Sequence, residues 1–256
     1  MRRSSQYLAS VSLLAVLFVS SSVSGTIPRV VLQLLAPGPF KAGDFVLSFQ
    51  LLDTKMNVAL TDADLRVTHT KKLHLFVYDA GLNEFRYVFP EFVGGRWQVA
   101  LNLPTNGKYE VWCQATLLGD ETIIMPDSAF QVVQGIDENP VPVHLGDVRT
   151  GEDHKSVVKL EDAKILSGRL TALELNFSRD DGLRPELTPF LGELADAWIV
   201  TLDGSQLIHV HPVDSGLPNQ LILRAVFPTM GEYRLWIRYV DRGIAKLVLL
   251  SVIVSQ

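Results

Sequence analysis

LPTNGKYEVW, at residues 103–112, is repeated almost in register as FPTMGEYRLW at residues 227–236. The Pro, Gly, Tyr and Trp of the two stretches recur at a constant offset of 124 residues (228 − 104). Pro presets the φ angle of a turn, Gly tolerates a positive φ, and an alternation of apolar residues begins at the Tyr. Each stretch therefore predicts a turn that leads into a strand, and the repeat predicts two copies of one domain.

Strand patterns surround both stretches at matching positions. Residues 45–52 and 169–177 alternate between apolar and polar side chains, and the apolar run at 75–78 corresponds to that at 198–201. No segment has helical periodicity over three turns. A Tyr directly after a corner is typical of immunoglobulin-like sandwiches, in which its hydroxyl ties down the turn. These patterns predict an all-β chain of two tandem immunoglobulin-like β-sandwich domains.

The domain boundaries follow from the composition between the two copies. We predict the first sandwich at residues 26–134 and the second at residues 154–256. Residues 135–153 contain Pro140 and Pro142, many charged side chains and little apolar periodicity, which is typical of a linker.

The N-terminal residues have the pattern of a secretory signal peptide. Arg2 and Arg3 precede an apolar run at residues 11–19, and small residues follow up to Gly25. We predict a signal peptide at residues 1–25, and an uncleaved anchor is the alternative. The protein is therefore expected to be secreted or periplasmic, with no membrane span after cleavage of the signal.

The Trp of each repeated stretch predicts a covered sheet face. Trp112 and Trp236 lie on the strand face opposite Tyr109 and Tyr233. If the tyrosines point into a sandwich core, the tryptophans point away from it, and we expect a partner domain or a ligand to cover them. The single cysteine, Cys113, falls on the apolar face and is expected to be a buried, inert thiol.

Charge and motifs exclude several classes of protein. The chain has 23 basic and 28 acidic residues, so nothing in its charge predicts a nucleic-acid partner. It contains no G-x-S-x-G, H-E-x-x-H, P-loop or G-x-G-x-x-G motif. The sequence therefore predicts no catalytic residues, and a protein that is not an enzyme.

The sharpest chemical feature is HVHP at residues 209–212. Residues i and i+2 of a strand face the same side, so His209 and His211 can reach one point in space. Two neutral imidazoles on one rigid strand suit Cu(II), Zn or Ni. The alternative interpretation is two surface or loop histidines without a ligand.

The other histidines give weaker signals. His69 and His74 could share a metal only if His69 lies in a loop, and Lys71 and Lys72 between them disfavour a cation. Whether this pair contributes to a site stays open. His144 and His154 lie in or near the linker among acidic residues, and we expect them to be solvated.

The stretches HTKKLHLFV at residues 69–77 and HVHP at residues 209–212 resemble a group of bacterial exported proteins with two repeats. These proteins are similar to the YtkA-like and cupredoxin-like exported domains, commonly thought to handle copper or other metals. The resemblance implies a cupredoxin-like form of the sandwich. It places Asp196 where the family has a histidine, and a carboxylate can still bind a metal. In the first repeat, YVFP at residues 87–90 replaces the histidine motif, which implies that this copy has lost its site.

The sequence leaves three functions from different classes. The first is an exported, non-catalytic protein that binds copper or zinc through Asp196, His209 and His211, with Asp196 supplied by the neighbouring strand of a hairpin. The second is a secreted module that binds a protein partner and holds no metal. A secreted enzyme ranks last, because no catalytic constellation is present.

Overall fold

The computed structural model describes residues 28–119 and 121–256, which form two β-sandwiches. The predicted signal peptide at residues 1–25 lies outside the described residues. The helical content of the described residues is one 3₁₀ turn at Asp62–Asp64. No helix in this part of the chain has the length and hydrophobicity that a membrane span needs. The predicted all-β, immunoglobulin-like fold is confirmed.

The strands follow one another with short turns. Those of the first sandwich are β1 (Val30–Leu34), β2 (Phe40–Lys41), β3 (Gly43–Asp53), β4 (Val58–Leu60), β5 (Leu65–Arg66), β6 (Leu73–Asp79), β7 (Phe85–Val88), β8 (Glu91–Val93), β9 (Arg96–Leu103), β10 (Gly107–Leu117), β11 (Ile123–Ile124) and β12 (Asp127–Val133). Those of the second are β13 (Thr150–Asp153), β14 (Ser156–Leu160), β15 (Ile165–Leu166), β16 (Leu170–Arg179), β17 (Ala195–Thr201), β18 (Leu207–Val210), β19 (Val213–Asp214), β20 (Gln220–Val226), β21 (Gly231–Asp241) and β22 (Ile244–Ser255).

Each sandwich consists of an outer and an inner sheet. The outer sheets have the orders β1-β3-β9-β8, with β4 added to β3, and β13-β14-β16-β20-β19. The inner sheets have the orders β2-β12-β10-β6-β7, with β5 and β11 added to β10, and β15-β22-β21-β17-β18. In both, a short strand (β2 or β15) runs parallel to the last strand of its domain. The two inner sheets therefore have equivalent strand arrangements.

The second sandwich begins earlier than residue 154. Strand β13 lies inside the predicted linker at 135–153 and pairs antiparallel with β14. Its sequence, TGED, is polar and gives no strand signal. Gly151 is buried there, and a Cβ at that position would lie 2.7 Å from the Leu249 carbonyl oxygen. The position of this strand therefore depends on its close approach to β22 and not on an alternation of apolar residues.

The repeated stretches form two equivalent tyrosine corners. The Tyr109 hydroxyl donates to the Thr105 carbonyl at 3.1 Å, and the Tyr233 hydroxyl donates to the Thr229 carbonyl at 2.8 Å. Both tyrosines are buried in the cores of their own domains. The glycine of each stretch has a positive φ, as the turn requires. The predicted corners are therefore present in both domains.

Removal of either corner hydroxyl should destabilise the protein. We expect Tyr109→Phe and Tyr233→Phe each to lower the free energy of unfolding by about 1–3 kcal/mol, because a hydrogen bond from a buried tyrosine to its turn is lost. Denaturant titration at constant pH measures the change. A cost near zero at both positions would show that the motif is only a turn signal.

The inner sheets pack against each other and bury the tryptophan faces. Every residue of β6 and of β17 is buried. In both strands one face belongs to the core of its own sandwich and the other to a third apolar cluster between the domains. The third cluster consists of Phe76, Tyr78, Leu82, Phe85, Trp112, Trp198, Val200, Leu207 and Trp236. The partner domain thus covers both tryptophans of the repeated stretches, which was one of the two predicted possibilities.

Equivalent residues of the two domains make equivalent contacts across this third cluster. Phe76 pairs with Tyr87 in the first domain, as Trp198 pairs with His209 in the second. The rings of Phe76 and His209 lie 5.1 Å apart, and those of Trp198 and Tyr87 lie 4.8 Å apart. Phe76 also contacts Trp198 directly, at 5.7 Å. Such reciprocity indicates that the two domains are related by a pseudo-twofold axis through the cluster.

Candidate metal site

The three predicted ligands lie on one β-hairpin at the interface between the domains. Asp196 belongs to β17, His209 belongs to β18, and His211 follows directly after β18. The two strands pair antiparallel, with Trp198 opposite His209. Because alternate residues of a strand share a face, Asp196 and the two histidines all lie on the face that meets the first domain. The structure therefore brings the three side chains together.

The donor atoms of these side chains converge. One ligand atom from each of Asp196, His209 and His211 lies within 4.8 Å of the other two. His211 Nδ1 is 3.0 Å and His209 Nε2 is 3.5 Å from the same carboxylate oxygen, Asp196 Oδ1. Both nitrogens are buried and make no hydrogen bond. Buried nitrogen atoms without hydrogen-bond partners beside a carboxylate are a donor set for a cation.

A side chain of the first domain orients His209. The Oε1 atom of Gln114 lies 2.8 Å from His209 Nδ1, so that nitrogen donates its proton to the amide oxygen. The lone pair of Nε2 then faces Asp196. Metal-bound histidines generally donate their other ring N–H in this way. The imidazole is also fixed by stacking on Trp198, at 5.1 Å and an interplanar angle of 7°.

The charges of the site are those of a metal-binding group. Burial lowers the pKa of His209 to about 4, so its imidazole is neutral at neutral pH. Burial raises the pKa of Asp196, whereas His209 and His211 in their protonated forms lower it, and the net shift of that pKa is downward. The carboxylate is therefore ionised. Arg238 Nη1 lies 3.8 Å from Asp196 Oδ2, and its positive charge opposes a cation at this carboxylate.

Arg238 and Gln114 hold equivalent positions in the two repeats. Gln114 pairs with His74 across β10 and β6, and Arg238 pairs with Asp196 across β21 and β17. Asp196 therefore occupies in the second repeat the position that His74 occupies in the first. Arg238 lies over the Tyr87 ring at 5.8 Å, and Gln114 accepts a hydrogen bond from His209, which is the residue equivalent to Tyr87. Neither residue was predicted from the sequence to meet the site, although the 124-residue offset relates them. Only the packing of the domains shows that they meet the site.

His74 is not free to bind a metal. Its Nε2 lies 3.0 Å from the Thr68 carbonyl and its Nδ1 lies 2.6 Å from the Tyr87 hydroxyl. The carbonyl can only accept, so Nε2 donates to it and Nδ1 accepts from Tyr87. Both nitrogens are engaged, and burial lowers the pKa of His74 to about 4. His69, in contrast, lies in the turn before β6, with its ring 4.5 Å from that of His211.

The other lysine, histidine and cysteine side chains considered as candidates have contacts of their own. Lys72 pairs with Asp62 at 2.6 Å, and Lys71 lies over the Phe89 ring at 5.2 Å. His144 and His154 are largely exposed. His144 pairs with Glu232, and His154 pairs with Asp153. Cys113 is fully buried in the core of the first domain, and burial raises the pKa of its thiol.

Comparison with solved structures gives similarities at low identity. Fibronectin(III)-like modules of Clostridium thermocellum CbhA are 14% identical, with 88% of this chain and 95% of that chain covered and a TM-score of 0.24. The FN1-FN3 domains of chicken CNTN1 are 11% identical, with coverages of 91% and 69% and a TM-score of 0.23. Salmonella alpha-2-macroglobulin reacted with methylamine is 13% identical, with coverages of 91% and 15% and a TM-score of 0.28.

Two further comparisons concern sequence alone. No curated protein matches the chain. Residues 150–255, which run from β13 to the end of β22, match the model of a family described as a domain of unknown function (DUF8832).

Proposed function

We propose that this chain is an exported, non-catalytic protein that binds one Cu(II) or Zn ion through Asp196, His209 and His211. The observation that carries the proposal is the convergence of two buried imidazole nitrogens, neither of which makes a hydrogen bond, on one carboxylate oxygen. Secretion or periplasmic localisation belongs to the proposal and rests on the signal-peptide pattern at residues 1–25.

The donor types select the metal. Two imidazole nitrogens and a carboxylate oxygen suit Cu(II) and Zn, whereas Cu(I) prefers thiolate and thioether sulfur. The single cysteine is buried in the other domain's core, and Met230 is exposed in the second tyrosine corner. One coordination position beyond the three side chains is left for another ligand, which is usual for Cu(II) and Zn.

Metal titration of protein without a histidine tag tests the proposal. We expect the wild type to bind one equivalent of Cu(II) or Zn in calorimetry, and His209→Ala/His211→Ala to bind at least about 100-fold more weakly, because both nitrogen donors are lost. Cu(II) should also quench tryptophan fluorescence, since Trp198 stacks on His209. The matched control is His144→Ala/His154→Ala, which removes two exposed histidines and should bind like the wild type.

The alternative is a secreted module that binds a protein partner and holds no metal, in which His209 and His211 bind nothing. Equal binding by the wild type and His209→Ala/His211→Ala, or no binding by either, would favour this alternative.

A further inference from the structure

A tight turn of the first domain presents His69 to the metal site of the second. Thr68 and Lys71 exchange backbone hydrogen bonds of 2.8 and 3.0 Å. His69 and Thr70 between them have φ values of 46° and 67°, in the left-handed region. His74 donates to the Thr68 carbonyl and so fastens this turn to β6. The turn carries the His69 ring across the domain boundary.

The spacing of two pairs of imidazole rings, both of which include His211, fits one shared ion. With metal–nitrogen distances of about 2.0–2.1 Å, a ring centre lies roughly 3 Å from the metal, and two rings on one ion have centres about 4.5–5 Å apart. The centres of His209 and His211 are 4.6 Å apart, and those of His211 and His69 are 4.5 Å apart. Resting on the metal binding proposed above, we propose that His69 supplies the fourth ligand, so that the ion joins the two domains.

A carboxylate lies beside the His69 imidazole. Glu193 Oε1, from the second domain, lies 3.4 Å from His69 Nδ1. Nδ1–H can donate to this oxygen, which leaves Nε2 for the metal, in the carboxylate–histidine–metal arrangement common in proteins. His69 is not one of the three residues whose donor atoms lie within 4.8 Å of one another, so joining them requires its side chain to turn toward them.

The equivalent turn of the second domain has no such donor. Residues 190–193 repeat the turn, with backbone hydrogen bonds of 2.8 and 3.1 Å between Phe190 and Glu193. Leu191 stands there at the position of His69, with a φ of 54°. Of the two pseudo-equivalent turns, only the one that carries His69 therefore offers a side chain that can bind an ion. That turn faces the site formed by Asp196, His209 and His211.

Electron paramagnetic resonance of the Cu(II) protein tests this inference in full-length wild type and His69→Asn. Asn is chosen because it tolerates a left-handed backbone better than Ala does. We expect nitrogen hyperfine structure from three coordinated imidazoles in the wild type and from two in the variant, with an affinity about tenfold or more lower by calorimetry. The control is His154→Asn, which changes another histidine of positive φ, 56°, that pairs with Asp153.

The outcomes separate the two proposals. Three coordinated nitrogens in the wild type, reduced to two in His69→Asn alone, support the bridging ion. Equal affinity and equal nitrogen count in the wild type and His69→Asn would overturn the role of His69 and leave the three-residue site standing. No Cu(II) binding by the folded wild type would overturn both. Circular dichroism of each variant shows that the sheet structure is intact.

Discussion

Trp236→Ala is expected to lower the free energy of unfolding by about 4 kcal/mol, because it empties the centre of the contact between the domains. The Trp236 side chain is fully buried. Its ring stacks on Phe85 at 5.0 Å and lies 5.7 Å from Tyr78, both of the other domain. Tyr78 in turn donates to the Gly204 carbonyl at 2.8 Å and accepts from the Trp112 indole at 2.8 Å. Loss of the ring therefore weakens a cluster that both domains share.

Calorimetry distinguishes this loss from an ordinary core defect. We expect the wild type to unfold in one transition and Trp236→Ala in two, one for each sandwich. The matched control is Trp97→Ala, because Trp97 is equally buried but belongs to the core of the first domain alone. This control should lower stability without separating the domains. A cost below about 1 kcal/mol for Trp236→Ala would contradict the packed interface.

Acid should destabilise the metal-free protein between pH 6.5 and pH 4. Burial lowers the pKa of His74 and of His209 to about 4, against about 6.5 in an unfolded chain. Between these values the unfolded state binds more protons than the folded state, so the free energy of unfolding falls as the pH falls. Once the pH reaches about 4, each histidine accounts for about 3 kcal/mol of lost stability.

Denaturant titrations from pH 7.5 to pH 4, in the presence of a chelator, measure this slope. His74→Gln should lose about half of the pH dependence, because one of the two histidines with a lowered pKa is removed. Carboxylates with lowered pKa values, such as those of Asp181 and Asp241, lose their contribution only at lower pH, as the pH falls through their folded pKa values. A wild-type stability that stays constant over this range would refute the prediction.

Local patterns were sufficient to predict the fold. The tyrosine corners and the 124-residue repeat have their predicted counterparts in the structure. The apolar run at 75–78 corresponds to residues 197–200, one residue before the predicted 198–201, because Phe76 and Trp198 hold equivalent positions. Strands buried on both faces, such as β6 and β17, have continuous apolar runs because each face meets a different core. Strand β13 was missed, because its polar residues are ordered by contact with β22 and not by their own pattern.

The candidate site was only partly accessible from sequence. The spacing of His209 and His211, with a hairpin to the preceding strand, was sufficient to place them beside Asp196. Gln114 and His69 contact these residues from positions roughly 100 or more residues away in the chain, on the opposite domain. No local pattern encodes such a contact, because it depends on how two finished domains pack.

The reciprocal contacts between the inner sheets have a consequence for the number of sites. Two separate copies of one sandwich, packed about a true twofold axis, would form a homodimer in which every substitution occurs twice. Here the copies share one chain, so their association does not depend on protein concentration, and each copy can change alone. His74, Tyr87 and Phe89 stand on one side of the axis where Asp196, His209 and His211 stand on the other. Covalent fusion thus permits a single asymmetric site in an almost symmetric molecule.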